Sequence, residues 1–317
     1  MTHVAKHPTT RRNWLVHSTL SVVALGNPAP GHGSITIVAD QPLTTTTSIP
    51  PECQNGALVA ESAIPGAYDQ ICMNLPVRTI PISSQVKLQI QQEGVGPGKT
   101  GLAVWNSALL LARLLTQITK VNPTWLHQQR VAELGCGAGL VSLLLAQQAG
   151  ARSVWATDGN PDAVALTRTN FERNGIAYRT TTTTSDNQNV VTQLKWGELE
   201  VPVEWMGQVD VLVGSDLTYN SGSWRLLAET MESLLAPNGI CIYLSLGHAG
   251  FNVAGEVDGF VNVAQQVGLF SKSKLPLPGS SLDALLASVI RKDSSEPSIM
   301  MATGGAQVVV LGRKNRI

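Results

Sequence analysis

The stretch Val131-Ala132-Glu133-Leu134-Gly135-Cys136-Gly137-Ala138-Gly139 limits what this chain can fold into more than any other part of the sequence. A short apolar strand pattern, Arg130 to Leu134, runs straight into three glycines at alternate positions, and a helical pattern, Leu140 to Ala149, follows. Glycines at such a junction let the chain turn sharply and bring backbone N–H groups up to a ligand at a helix N-terminus. The same alternation continues on both sides. Ala103 to Leu115 reads as a buried helix, Ser153 to Thr157 as a strand, and Asp162 to Asn174 as a helix with Pro161 near its first turn. Val209 to Gly214 is a wholly apolar strand, Trp224 to Leu235 a helix closed by Pro237-Asn238-Gly239, and Ile240 to Leu246 another buried strand. Helices between short apolar strands imply βαβ crossovers and a parallel sheet covered on both faces, an α/β sandwich. Val-rich Ala306 to Leu311 fits a strand added at the sheet edge, and Thr180 to Thr184 an exposed strand.

Upstream the text changes character. Residues 1–76 read as a loop-rich or targeting extension: no carboxylate precedes Asp40, while Lys6, Arg11 and Arg12 are present, and the segment from Gln41 is rich in Thr, Pro and Ser. A targeting peptide and a plain flexible tail are the two readings of the first 39 residues. From Val77 the pattern shifts to apolar residues at mostly even spacing, Ile80, Ile82, Val86, Leu88 and Ile90, which predicts a β-hairpin over about 77–93. The folded domain is therefore expected over residues 77–317.

Composition excludes several classes of function. At 43% hydrophobic and 14% charged the chain has ample material for a core and cannot be a long disordered chain. Lys+Arg 22 against Asp+Glu 22 leaves no net field to attract phosphates or anionic lipid, so neither a nucleic-acid partner nor a membrane partner is expected. No run of about 18 apolar residues exists to span a bilayer. The cysteines, at 53, 72, 136 and 241, form no CxxC pair and have no His at ligand spacing, so no metal site and no disulfide scaffold are expected and a reducing compartment fits.

Two further signals lie at strand ends. Asp158 closes the Ser153 to Thr157 strand, 19 residues beyond Gly139, where a carboxylate accepts both ribose hydroxyls of a nucleoside. Alone, such an Asp is more often a helix N-cap, but Asn160 before Pro161 offers that cap instead. The second is Val211-Leu212-Val213-Gly214-Ser215-Asp216-Leu217-Thr218-Tyr219, which delivers an Asp and a Tyr beyond the carboxyl end of an apolar strand. An Asp beside an aromatic ring can hold an amine and attract cationic character; a strand-end cap plus a packed tyrosine is the alternative.

The GxGxG spacing after Glu133 resembles motif I of class I S-adenosylmethionine methyltransferases. Together with Gly101-Leu102-Ala103-Val104-Trp105-Asn106, Leu194-Lys195-Trp196-Gly197 and Asp216-Leu217-Thr218-Tyr219, it resembles the methyltransferase-16 family of seven-β-strand protein lysine methyltransferases, over about residues 80 to 317. The resemblance implies a Rossmann-like fold with a mostly parallel seven-stranded sheet. It implies S-adenosylmethionine held by Trp105, Glu133, Gly135, Cys136, Gly137, Gly139, Asp158, Trp196 and Ser215. It also implies a lysine side chain of a non-histone protein as acceptor, with Asp216 positioning the amine and Tyr219 forming the pocket wall. Cys136 departs from the family, where a residue such as Ala is commoner at that position. A monomer in the cytoplasm or nucleus is expected, unless the extension addresses an organelle. A small-molecule methyltransferase and a catalytically silent scaffold that binds a protein partner are the alternatives; a nucleic-acid enzyme would carry an Asn/Asp-Pro-Pro-aromatic motif in place of Asp-Leu-Thr-Tyr.

Overall fold

The computed structural model describes residues 70–81, 87–96, 98–147, 150–181, 187–197, 200–246, 253–272 and 306–313. All belong to the compact unit Ser48–Ile317. A short helix, α1 (Gln70–Met73), precedes the hairpin β1 (Val77–Pro81) and β2 (Lys87–Gln91). Then come α2 (Asn106–Val121), β3 (Arg130–Leu134), α3 (Leu140–Gln147), β4 (Ser153–Asp158), α4 (Pro161–Arg173) and β5 (Val190–Gln193). The chain continues through β6 (Val209–Ser215), α5 (Trp224–Leu234), β7 (Leu235–Leu246), α6 (Val253–Gln266), β8 (Leu269–Ser271) and β9 (Ala306–Arg313).

Seven strands form one sheet in the order β5-β4-β3-β6-β7-β9-β8. The first five are parallel, and β9 runs antiparallel to both β7 and β8. The mostly parallel seven-stranded α/β fold expected from the sequence is therefore the observed one. Successive strand residues feed opposite faces. Val131, Val154, Val211, Val213 and Ile242 pack under α2, α3, α4 and the hairpin, whereas Ala132, Trp155, Leu212 and Tyr243 pack under α5 and α6. Burial on both faces is why these strands read as unbroken apolar runs.

Several elements differ from the sequence reading, each for a local reason. The first long helix begins at Asn106 rather than Ala103, because Val104 is held extended: its N–H donates to Gln92 Oε1 at 2.8 Å and its carbonyl accepts from Arg78 Nη1 at 3.2 Å. The Val-rich C-terminal strand is not at the edge, since β8, too short to be noticed in the sequence, takes the edge outside it. The Thr180 to Thr184 strand lies mostly outside the described residues, and the described strand in that region is Val190–Gln193. Residues 70–76, read as extension, contribute α1 with buried Cys72 and Met73. The Gln92 side-chain amide donates to the carbonyls of Cys72 and Leu75, both at 2.9 Å. Cys136 and Cys241 are buried free thiols, but Cys72 is disulfide-bonded, which runs against the reading of wholly reduced cysteines.

The hairpin is fastened by α4. Asn174 exchanges two hydrogen bonds with the backbone of Gln89, and Asn170, one turn earlier, does the same with Gln91. The Asn170 amide also donates to Ala138 O at 2.9 Å, in the glycine loop. Among the described residues no helix is long and apolar enough to cross a membrane, and no cluster of His, Cys, Asp and Glu could hold a metal ion.

Candidate active site

Strands β3 and β6 are neighbours where the strand order reverses, and ligands of open α/β sheets bind beyond the carboxyl ends of the strands at that point. Leu134 pairs with Gly214 in register, so the chain leaves β3 at the glycine loop and leaves β6 at Asp216 side by side. A cavity of about 560 Å³ opens there, within the usual size of a small-molecule site. Its lining includes Trp105, Glu133, Gly135, Cys136, Gly137, Asp158, Trp196, Ser215, Asp216 and Tyr219. Of the residues singled out in the sequence, Gly139 alone is set back. A Cβ on it would lie 2.8 Å from Thr167 Cγ2, so this glycine allows the loop to pack on α4 rather than allowing a ligand to approach.

Gly137 is the point of closest approach. Its φ is +54°, and a Cβ there would meet the carbonyl oxygen of Gly101 at 3.0 Å. Its N–H donates to Asp158 Oδ2 at 3.0 Å and its carbonyl accepts from Thr167 Oγ1 at 2.7 Å, which fixes the loop against β4 and α4. Asp158 Oδ1 accepts from Asn160 N–H at 2.8 Å. Burial raises the Asp158 carboxyl above its ordinary range, opposed by the N–H groups of Asn160, Gly137 and Gly159. The α4 cap is Asn160, whose Oδ1 accepts from Asp162 N–H at 2.9 Å. Asp158 is therefore left to face the cavity.

Glu133 is buried beneath the loop and accepts from both the backbone N–H and the hydroxyl of Ser142. Burial pushes its carboxyl up to about 8, against those hydrogen bonds and with the nearby Asp158 adding to the rise. Without a cation beside it, Glu133 stays largely protonated at neutral pH. Cys136 is likewise neutral, since burial raises its thiol far above the ordinary range. Trp105, also in the lining, stands at the extended residue before α2, its indole N–H donating to Thr100 O at 2.5 Å.

The Asp216 to Tyr219 segment forms the rim. Asp216 has φ +50°, uncommon for a non-glycine residue. Its N–H donates to Leu244 O at 3.0 Å, and its Oδ1 accepts from Leu246 N–H at 2.8 Å and Ser245 Oγ at 3.3 Å. The carboxylate thus also closes the end of β7, a role no sequence signal pointed to. Tyr219 is 66% exposed at the mouth. Sequence reasoning missed several wall residues, among them Gly101, Ser107, Lys195 and Leu217. Gly101, Lys195 and Leu217 were within reach, inside motifs already singled out; Ser107, on the buried face of α2, gave no sign.

The family described as lysine methyltransferase matches residues 82–248. A protein-lysine N-methyltransferase, EFM3, of Chaetomium thermophilum is 32% identical over 203 residues, 57% of this chain and 56% of the relative. The calmodulin-lysine N-methyltransferase of Arabidopsis thaliana is 32% identical over 137 residues, 43% of this chain and 41% of the relative. The protein-lysine N-methyltransferase EEF2KMT of Mus musculus is 29% identical over 157 residues, 49% of this chain and 45% of the relative. The chain therefore spans about half the length of the curated relatives it matches.

Proposed function

Because the chain belongs to the lysine methyltransferase family, we propose that it transfers the methyl group of S-adenosylmethionine to a lysine side chain of a protein. The observation that carries this reading is that one cavity is lined both by the glycine loop with Asp158 and by Asp216 with Tyr219. Its lining carries Asp158 at the glycine loop and Asp216 at the rim, beside the neutral Glu133, and these acceptors suit ribose hydroxyls and an incoming amine. The lack of room for a Cβ at Gly137, packed on Gly101 O, holds the loop's main chain beside Asp158 in the cavity wall.

When bound, S-adenosylmethionine supplies a methyl carbon on a positive sulfur, which an amine lone pair attacks in line as the carbon–sulfur electrons return to sulfur. The protein's part is alignment and desolvation. Asp158, already ordered by two backbone N–H groups, keeps lone pairs for ribose hydroxyls. Trp105 and Trp196, both in the cavity lining, would hold the adenosine. Asp216 orients the acceptor amine, and Tyr219 covers its stem. A lysine of ordinary pKa, about 10.4, has to lose a proton first, and a rim that sheds water favours the neutral amine.

The experiment is incubation of the purified full chain with radiolabelled S-adenosylmethionine and a cell lysate, followed by mass-spectrometric mapping. Label on a protein lysine is the expected result. Label only in the small-molecule fraction, or none despite S-adenosylhomocysteine binding, would overturn the proposal.

A further inference from the structure

Behind the rim lies a buried hydrogen-bond chain whose side chains, on Tyr243, Thr218, Glu256 and Trp224, stay out of the cavity lining. Tyr243, on β7, sends its phenol under the Asp216 to Tyr219 segment, where the oxygen accepts from Leu217 N–H at 3.0 Å and Thr218 N–H at 3.1 Å. It also meets Thr218 Oγ1 at 2.8 Å, and Thr218 Oγ1 in turn donates to Glu256 Oε1 on α6. The Trp224 indole N–H donates to Thr218 O at 2.7 Å. Backbone N–H groups only donate, so the phenol oxygen accepts from both, while its hydroxyl and that of Thr218 share a further hydrogen bond. Thr218 and Tyr243 are each essentially inaccessible to solvent. Three neighbouring elements, β7, α5 and α6, therefore converge on two residues, Leu217 and Thr218, the pair that lies between Asp216 and Tyr219.

We propose that Tyr243, Thr218 and Glu256 are positioning residues for methyl transfer, setting the Asp216–Tyr219 rim in its reactive geometry without touching either reactant. The inference rests on the methyl-transfer reading. It goes further in assigning to α6, which carries none of the four sequence motifs, control over the acceptor side of the site. The left-handed backbone of Asp216 is the strained point that such an anchor sustains. Removal of the phenol oxygen leaves two buried N–H groups without their acceptor and lets the segment relax. A rim shift of about 1 Å is enough to cost roughly a hundredfold in rate.

The test uses the full chain with Tyr243→Phe, Thr218→Val, Thr218→Ser and Glu256→Ala, read in two ways. In the first, hydrogen exchange of peptides covering 215–220 is measured beside S-adenosylhomocysteine affinity. Tyr243→Phe, Thr218→Val and Glu256→Ala should lose protection there with affinity unchanged, and Thr218→Ser should keep it. In the second, turnover is measured on the lysate protein that the wild type labels, purified after mapping. The first three variants should lose about ten- to a hundredfold in kcat with KM little changed, and Thr218→Ser should restore the rate. Wild-type protection at 215–220 in all variants, or a loss of affinity in parallel with kcat, overturns the positioning role. If Tyr243→Phe does not fold, the two Thr218 variants decide. If the wild type labels no protein, the lysine reading fails on its own, while the exchange arm still reports whether the chain sets the rim.

Discussion

Gly137 and Gly175 provide a matched pair of substitutions that separates backbone strain from ligand contact. Both have positive φ, +54° and +68°. A Cβ at Gly175, just past the end of α4, would meet nothing within 4 Å. Gly175→Ala therefore carries only the left-handed backbone penalty, about 1–2 kcal/mol, or roughly 2–8 °C in Tm for a domain of this size. Gly137→Ala carries the same penalty, and its Cβ would lie 3.0 Å from Gly101 O, tighter than nine in ten real Cβ contacts. The loop has to back away, and with it goes the 3.0 Å hydrogen bond from Gly137 N–H to Asp158 Oδ2. A hydrogen bond to a charged group is worth about 1.5–3 kcal/mol, so S-adenosylhomocysteine affinity should fall about ten- to a hundredfold in Gly137→Ala and stay at the wild-type value in Gly175→Ala. Titration calorimetry gives the affinities, and thermal melts of the ligand-free proteins show the shared strain. Wild-type affinity in Gly137→Ala, or an equal loss in both variants, would refute the placement of the nucleoside against this loop.

Further outcomes follow from other parts of the site. Asp216→Asn and Tyr219→Ala should each lower turnover by about ten- to a hundredfold while leaving S-adenosylhomocysteine affinity nearly unchanged, whereas Trp196→Ala should weaken affinity directly; parallel loss in all three would contradict the division of roles. Glu133 is raised by burial to about 8 from an ordinary 4.5, so the stability its protonated form lends the ligand-free protein is fully present below 4.5 and fades as pH rises through 8. Melts from pH 5 to 8 should decline with a slope of at most about 1.4 kcal/mol per pH unit from this group, and Glu133→Gln should flatten that slope. Removal of residues 1–76 strips the Gln92 amide of both its carbonyl acceptors and should lower the melting temperature.

The sheet was legible because its strands are buried on both sides. Val131, Val154 and Val213 face one helical layer and Ala132, Trp155 and Leu212 the other, and double burial leaves an apolar run that sequence shows directly. The loop was legible because its positive φ values demand glycine. What escaped were features set by distant partners. The start of α2 depends on Gln92 and Arg78, far upstream in the hairpin, and no local propensity of residues 103–105 announces it. The place of β9 inside β8 depends on a three-residue strand too short to carry a period. Asp216 was recognised as a rim residue, but its bond to Leu246 N–H arises from β7 pairing beside β6 and has no sequence correlate. Tyr243 read as one more apolar position of a buried strand, because only the fold shows what lies above its hydroxyl.

The two asparagines of α4 deserve a last consequence in terms of what the molecule can tolerate. By presenting carbonyl and amide at each turn, Asn170 and Asn174 imitate the next strand of a sheet, and so the outer edge of β2 is already spoken for at Gln89 and Gln91. A foreign strand would have to displace a helix to pair with β2, which closes one route to self-association. Asn170 also holds Ala138 of the glycine loop with the same amide. One side chain thus answers to two masters, the seal on the hairpin and the shape of the ligand loop. A substitution there cannot adjust one without disturbing the other, whereas Asn174, which binds the hairpin edge and Asn170 O but not the ligand loop, leaves room for drift.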